Sequence, residues 1–198
     1  QNNNVIFESA IPTSTTMKLH NAVLPFGITI IYYQENNWFA EANSIYTINE
    51  QKITDIPVTI QPLEKTIEQW DRDNTGPNKI MMIADADIIQ TIQKEIEPQF
   101  KDTLNMFTSK PIYLEAMQYD SSKAKAVARL IQEYHITTEE IITIGDNFND
   151  MEMIAMAGTG VAMGNAPDAV KAIAKYVTDT NNNDGVAKAI QHFMKHWF

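Results

Sequence analysis

Two carboxylates four residues apart follow a short apolar run in the second half of the chain. Residues 141–144 lead into Gly145 and Asp146, and Asp150 follows. In open α/β sheets, ligands bind outside the carboxyl ends of strands, so Asp146 is predicted to point into such a crevice. Hard cations such as Mg²⁺ bind one or two protein carboxylates plus water. Taken alone, the residues also fit a plain turn in which Asp150 only caps the next helix.

A lysine at the start of a predicted helix is the second candidate for chemistry. Lys123 follows Ser122, and apolar residues at helical spacing predict a helix over 123–134. Most lysines in this position are solvated surface residues, and Lys125 beside it is an example of the type. Residue type alone therefore leaves the role of Lys123 open.

The surrounding sequence resembles a known family. Residues 145–150 read GDNFND, residues 157–166 read AGTGVAMGNA, and residues 113–117 read YLEAM shortly before Ser122-Lys123. Together these segments closely resemble the C-terminal signature and lysine motif of Cof-like phosphatases of the haloacid dehalogenase superfamily. The resemblance extends over essentially the whole chain. It is highly specific over residues 113–190 and looser before them.

The resemblance implies a role for each motif residue. Lys123 corresponds to the catalytic lysine that holds the transferring phosphoryl group, Asn149 to the asparagine that binds phosphate, and Asp146 and Asp150 to the acids at the metal. It implies Mg²⁺ as cofactor, a small phosphorylated metabolite such as a sugar phosphate as substrate, and an aspartyl-phosphate intermediate. Phosphoryl transfer depends mainly on positioning and charge stabilisation, which a cation and one lysine can supply.

The sequence departs from the family pattern in three places, one of which is the absence of the small-hydroxyl motif that binds phosphate in the family. Ala124 follows the lysine where family members usually have Gly, and the Asp-x-Asp-Gly-Thr stretch that carries the family's nucleophile does not occur. Asp85-Ala86-Asp87 has the carboxylate spacing without Gly-Thr and is predicted to start a helix instead. Since the chain also opens at Gln1 without an initiator Met, it is interpreted as lacking the nucleophile segment.

Two regions with different patterns must position these residues. Residues 1–112 mix strand and helix signals, as in an α+β module, and the resemblance identifies this region as the family's cap domain. Residues 113–198 alternate strand and helix, which predicts the C-terminal part of a doubly wound, Rossmann-like parallel core. The fold class is therefore α/β. Strands are predicted over 5–8, 28–34, 38–42, 79–84, 103–108, 112–117, 140–144, 160–163 and 176–178, and helices over 13–22, 62–72, 87–97, 123–134, 150–157, 167–174 and 185–196.

Composition excludes several classes of function. The 198 residues carry a formal net charge of −10, which disfavours nucleic acid and anionic membranes as partners. The absence of cysteine excludes disulfides, thiolate catalysis and Cys-ligated zinc. No apolar stretch is long enough to span a membrane, so a cytoplasmic protein is expected.

Rival interpretations keep the fold and change the function. The chain could be a truncated, non-catalytic remnant that binds phosphate ligands or a partner protein, or its reaction could be that of a phosphomutase. Without the family's first core strand, the strand at 140–144 would expose an edge, which predicts a homodimer or poor stability.

His192 and His196 have the spacing of a metal pair but lack an accompanying Glu, and are expected to be surface residues.

Overall fold

The computed structural model describes residues 7–194 and divides into two compact units, with the boundary between Ser121 and Ser122. The N-terminal unit is an α+β fold built on one sheet with the order β3-β2-β1-β4-β6-β5. Its neighbouring strands are antiparallel except for the parallel pair β2 and β3. Its elements are α1 (Thr13–Val23), β1 (Thr29–Gln34), β2 (Asn37–Ala40), α2 (Ile45–Thr54), β3 (Thr59–Ile60), α3 (Leu63–Asp73), β4 (Lys79–Ile83), α4 (Ala86–Glu95), β5 (Leu104–Lys110) and β6 (Tyr113–Gln118).

Both faces of the central strands are buried in this unit. Alternate side chains of β1 and β4 enter two different clusters, because successive residues of a strand point to opposite faces. One cluster holds Ile30 and Met82 together with side chains of α1, α3 and α4. The other holds Ile31 and Met81, with Tyr46 of α2 packed against it. This two-sided burial explains why β4 is apolar over four consecutive positions.

A buried polar pair lies within the first cluster. His20 of α1 and Tyr32 of β1 are both buried, and His20 Nδ1 lies 2.8 Å from the Tyr32 hydroxyl. Burial lowers the pKa of His20, and the nearby carboxylates of Glu64 and Glu41 only partly oppose that effect. The histidine is therefore held in its neutral form more firmly than in the unfolded chain.

The C-terminal unit is a small parallel α/β fold. Its three-stranded sheet has the order β7-β8-β9, with parallel pairs throughout. Its elements are α5 (Lys123–Tyr134), β7 (Ile142–Gly145), α6 (Met151–Met156), β8 (Thr159–Ala162), α7 (Asp168–Ile173), β9 (Tyr176–Val177) and α8 (Gly185–Met194). The strands end side by side because Gly145 pairs with Ala162 and Ala162 with Val177. This edge is where the candidate residues lie.

The core of the C-terminal unit is small and leaves one sheet edge open. Ile154, Ala162, Ala166 and Val170 form its buried cluster. Strand β7 pairs with β8 on one side only among the described residues, and Ile142 on it is 42% exposed. The expected open edge at this strand is therefore present within the described part of the chain.

The structure confirms the predicted α/β fold class, with an α+β unit followed by a parallel one. The boundary falls nine residues beyond the predicted residue 112, because β6 pairs with β4 and β5 and so belongs to the first unit's sheet. Residues 5 and 6 of the strand predicted at 5–8, and His196, lie outside the described residues, and residues 7 and 8 form no strand. No helix within residues 7–194 has the length and apolarity needed to span a bilayer.

Helix α2 and the two-residue strand β3 were missed by the sequence patterns, and α2 is the larger of the two. It begins at a reciprocal cap in which Ser44 Oγ accepts from the Thr47 amide at 3.2 Å and Thr47 Oγ1 accepts from the Ser44 amide at 2.7 Å. Thr47 thus takes the place usually held by Glu or Gln in such a cap. It ends at Asp55, which adopts a left-handed conformation with φ of 56°.

We expect the stability of the protein to fall between pH 7 and pH 5 through His20. A base whose folded-state pKa is lowered contributes stability above its unfolded pKa of about 6.5 and loses it as pH falls. Urea unfolding at several pH values should show this slope, and His20→Asn should flatten it. The exposed Asn182, which does not titrate, supplies the control: Asn182→Ala should keep the wild-type slope. An unchanged slope in His20→Asn would contradict the assignment.

Candidate functional site

A buried carboxylate organises the turn after β7. Asp150 is 1% exposed, and its Oδ2 accepts from the backbone amides of Asp146 at 2.8 Å and Asn147 at 3.1 Å. The fit is close, because a Cβ added to Gly145 would lie 2.3 Å from the Asp150 Cβ. Only glycine at position 145 leaves room for the carboxylate to fold back under the end of the strand.

The second oxygen of the same carboxylate holds the lysine. Lys123 Nζ donates to Asp150 Oδ1 at 2.6 Å. Lys123 is the first residue of α5, whose start is fixed by Ser122 Oγ accepting from the Lys125 amide at 3.2 Å. The lysine side chain remains 53% exposed, so its ammonium is both anchored and accessible to a ligand.

These contacts set the ionisation of Asp150. Burial alone would raise the pKa of its carboxyl group, but the hydrogen bonds from Lys123 and from the amides of Asp146 and Asn147 outweigh burial and lower that pKa. Because the folded-state pKa is depressed, Asp150 contributes stability above the pKa of an unfolded Asp, about 3.9. That contribution is lost as pH falls through the folded-state value.

Asp146 lies at the end of β7 with its carboxylate exposed. One oxygen, Oδ2, accepts from the side-chain amide of Asn165 at 3.2 Å. Asn165 follows β8, and its Oδ1 in turn accepts from the Asn181 amide at 3.0 Å. The carboxylate is therefore held by a side chain from the neighbouring strand's end while it stays open to solvent.

Asn149 is exposed in the same turn. No hydrogen bond among the described residues engages its side chain, which is compatible with contact to a ligand. The neighbouring Asn147 has a local task instead, since its Oδ1 accepts from the Phe148 amide at 2.8 Å. All four residues that the sequence singled out therefore lie around one turn, at the carboxyl end of the sheet or beside it.

The two acids differ as donors to a metal. Asp146 offers an exposed carboxylate, whereas both oxygens of Asp150 already accept from Lys123 and two backbone amides. Within residues 7–194 no group of three or more His, Cys, Asp or Glu is arranged to hold a metal. Such a sparse carboxylate set fits a hard cation that keeps several waters better than one held in an all-protein cage.

Sequence reasoning did not single out the loop that supports Asn165. Asp179 Oδ1 accepts from the Thr180 amide at 2.7 Å, and its Oδ2 lies 2.6 Å from Lys188 Nζ. The bond from Lys188 and the backbone amide of Thr180 lower the pKa of Asp179 to about 2. The only signal in the sequence was the polar run 179–184 before the last helix, which is typical of any loop.

Comparison with known proteins finds relatives among phosphatases. A relative from Haemophilus influenzae is 35% identical over 161 residues, which cover 81% of this chain and 58% of the relative. The 5-amino-6-(5-phospho-D-ribitylamino)uracil phosphatase YcsE of Bacillus subtilis is 42% identical over 112 residues, covering 57% of this chain and 44% of that enzyme. The chain thus spans about half the length of these curated relatives.

A solved structure matches almost the whole chain. The crystal structure of a haloacid dehalogenase-like hydrolase from Bacteroides thetaiotaomicron superposes with a TM-score of 0.85 and 28% identity, covering 96% of this chain and 70% of that one. The haloacid dehalogenase-like hydrolase family matches residues 1–190, and the chain belongs to that family.

Removing the buried carboxylate should weaken the fold measurably. Asp150→Ala leaves two backbone amides without their acceptor, so we expect the free energy of unfolding to drop by about 1–3 kcal/mol at pH 7. Urea denaturation followed by circular dichroism measures it. Asp168→Ala is the control, because Asp168 is fully exposed with Lys171 at 4.0 Å, and it should change stability by less than about 0.5 kcal/mol. Equal stabilities of the two variants would contradict the anchoring role.

Proposed function

We propose that this chain is the phosphoryl-binding part of a Mg²⁺-dependent phosphatase acting on small phosphorylated metabolites in the cytoplasm. One observation carries the proposal: a buried Asp150 holds an accessible Lys123 ammonium close to the turn that carries the exposed Asp146 carboxylate. A cation-binding acid and an anchored ammonium are two of the elements that stabilise charge in phosphoryl transfer. The family's domain roles are proposed with it, the N-terminal unit as cap and the C-terminal unit as part of the hydrolase core.

Each residue has a distinct task in this proposal. Lys123 binds the non-bridging oxygens of the phosphoryl group, and Asp150 keeps its ammonium charged and in place. Asn149 donates its side-chain amide to the phosphate. Asp150 also fixes the backbone amides of the turn, and so the position from which Asp146 extends. The nucleophilic attack is not assigned to any residue of the printed sequence.

Mg²⁺ is the cation that suits this donor set. Asp146 is proposed as its ligand from this chain, and Asp150, first expected as a second ligand, is proposed instead to support the turn, because its oxygens already accept three hydrogen bonds. When bound, Mg²⁺ supplies charge stabilisation to the phosphoryl oxygens. It also supplies positive charge locally, although the protein as a whole carries a net charge of −10 that repels a phosphate ester.

The relatives support the substrate class. The Bacillus subtilis enzyme is named for the removal of phosphate from a ribitylamino-uracil, a small phosphate monoester. A sugar-like phosphorylated metabolite is accordingly the substrate class that we propose for this chain.

Hydrolysis of p-nitrophenyl phosphate, with and without Mg²⁺, tests the proposal. It should be measured for the 198-residue chain and for the complete product of its gene. In whichever protein is active, Asp146→Ala and Lys123→Ala should each lower Mg²⁺-dependent turnover by at least about 100-fold, since each removes charge stabilisation of the transition state. Release of inorganic phosphate separates hydrolysis from transfer to a second hydroxyl, the phosphomutase outcome.

Matched exposed residues serve as controls for this assay. Asp168→Ala and Lys125→Ala remove the same kinds of charge from exposed positions and should retain turnover close to wild type. Full Mg²⁺-dependent activity in Asp146→Ala would refute the proposed metal role. Absence of turnover in both proteins would refute the phosphatase assignment and favour a phosphate-binding role.

A second candidate function is self-association through the open edge of β7. The strand has an unpaired side within the described residues, and Ile142 on it is exposed. Open edges of this kind pair with other strands, and a lysine placed on them blocks pairing. Sedimentation velocity of the 198-residue chain should show a dimer that Ile142→Lys converts to monomer. A wild-type monomer, or a dimer unaffected by the substitution, would rule this candidate out.

A further inference from the structure

Asn165 joins two loops of the C-terminal unit at the carboxyl end of its sheet. Its side-chain Nδ2 donates to Asp146 Oδ2 at 3.2 Å, and its Oδ1 accepts from the Asn181 amide at 3.0 Å. Both ends of one exposed side chain are therefore engaged. Since an amide presents its donor and acceptor at a fixed angle, the two bonds together determine how the amide plane is turned toward Asp146.

The loop that holds Asn165 is itself fixed at several points. Asp179 binds Thr180 N, Asn183 Nδ2 and Lys188 Nζ through its carboxylate, at 2.7, 3.1 and 2.6 Å. Its backbone oxygen accepts from the Gly164 amide at 3.0 Å, immediately before Asn165. The loop thus has a defined position from which Asn181 can direct Asn165.

This support has a consequence for the exposed carboxylate. An exposed Asp rotates between conformers, and holding it in one reduces the entropy lost when a cation binds. Because Asn165 donates to Oδ2, and Oδ1 of Asp146 accepts no hydrogen bond within residues 7–194, Oδ1 is available to bind a cation. Partners of this kind commonly change metal affinity by about 10- to 100-fold without touching the metal.

We propose that Asn165 is a positioning residue that orients the Asp146 carboxylate toward the cation, with Asn181 and its loop holding Asn165 in place. The inference rests on the proposed function, because it takes Asp146 as the cation's ligand. It assigns to residues 165 and 181 a role in cation affinity that is separate from contact with the phosphoryl group.

Cation binding by the 198-residue chain tests the proposal without any need for turnover. The Kd for Mn²⁺, used as a paramagnetic probe, is measured by electron paramagnetic resonance, and Mg²⁺ competition gives its Kd. Asn165→Ala should weaken both affinities about 5- to 10-fold, as expected for loss of one orienting hydrogen bond. Its unfolding midpoint in urea should stay at the wild-type value, because Asn165 is exposed.

A second variant removes only the bond that holds Asn165. Asn181 is the first residue of the short 3₁₀ turn Asn181–Asn183, a position that accepts proline, and Thr180 before it is extended with φ of −74° and ψ of 165°. Asn181→Pro therefore deletes the amide donor with little strain and should weaken cation binding by about 2- to 5-fold. The control Asn182→Ala, at the exposed neighbouring position, should leave both Kd values unchanged.

The outcomes separate this inference from the proposed function. If Asp146→Ala abolishes cation binding while Asn165→Ala and Asn181→Pro bind like wild type, the positioning role is wrong and the metal role stands. If Asp146→Ala itself binds like wild type, or the unaltered chain binds no Mn²⁺, both are wrong. A lower urea midpoint in Asn165→Ala with unchanged affinity would show a merely structural residue and overturn the inference.

Discussion

The geometry of the C-terminal unit depends on one buried negative charge. Asp150 is shielded from water, so its carboxylate must find its partners within the protein, and it finds three. Two are backbone amides of the turn that carries Asp146, and the third is the ammonium of Lys123 from another helix. Satisfying one desolvated group therefore joins the turn at residues 146–150 to the start of α5, which lies 27 residues earlier in the chain. The position of the candidate site therefore follows from the need to give this buried carboxylate hydrogen-bond partners.

Asp146 and Asp150 are suited to different tasks because Asp146 is exposed to solvent and Asp150 is buried. An acid that is already fully hydrogen-bonded is a poor ligand for an added cation but a good anchor for a neighbouring base. An exposed acid with only one oxygen in a hydrogen bond is a better ligand for an added cation and a poorer anchor for a base. Asp146 is an acid of this kind. Sequence spacing cannot separate these roles, because both residues read as carboxylates in one motif. The separation appears only when the burial of each side chain is known.

Most of the fold could be predicted from the sequence, because the ends of many strands and helices carry local signals. The strands β7, β8 and β9 are apolar runs that end at glycine or polar residues, and such boundaries are strong local signals. Helix α2 was missed because Ile45, Tyr46 and Ile48 favour strands by residue type, and the cap at Ser44 uses Thr47 in place of an acid. Strand β6 belongs to the sheet of the first unit because it also pairs with β4, a contact distant in sequence that no local pattern records. Likewise, the candidate residues at 123, 146, 149 and 150 were singled out by their motif, whereas the contacts of Asn165 and Asp179 depend on loops that meet only in space.

The short crossovers of the parallel sheet have a kinetic consequence. Ile142 pairs with Thr159 and Val161 with Tyr176, so each parallel pair closes over a connection near the minimum that parallel strands permit. The N-terminal sheet, in contrast, must bring Ile31 against Met81 before its centre exists. Because local closure costs less chain entropy and gives faster folding, we expect the C-terminal unit to form its sheet first. When the whole chain refolds from denaturant, the parallel pairing of the C-terminal unit would then be regained before the N-terminal sheet is complete.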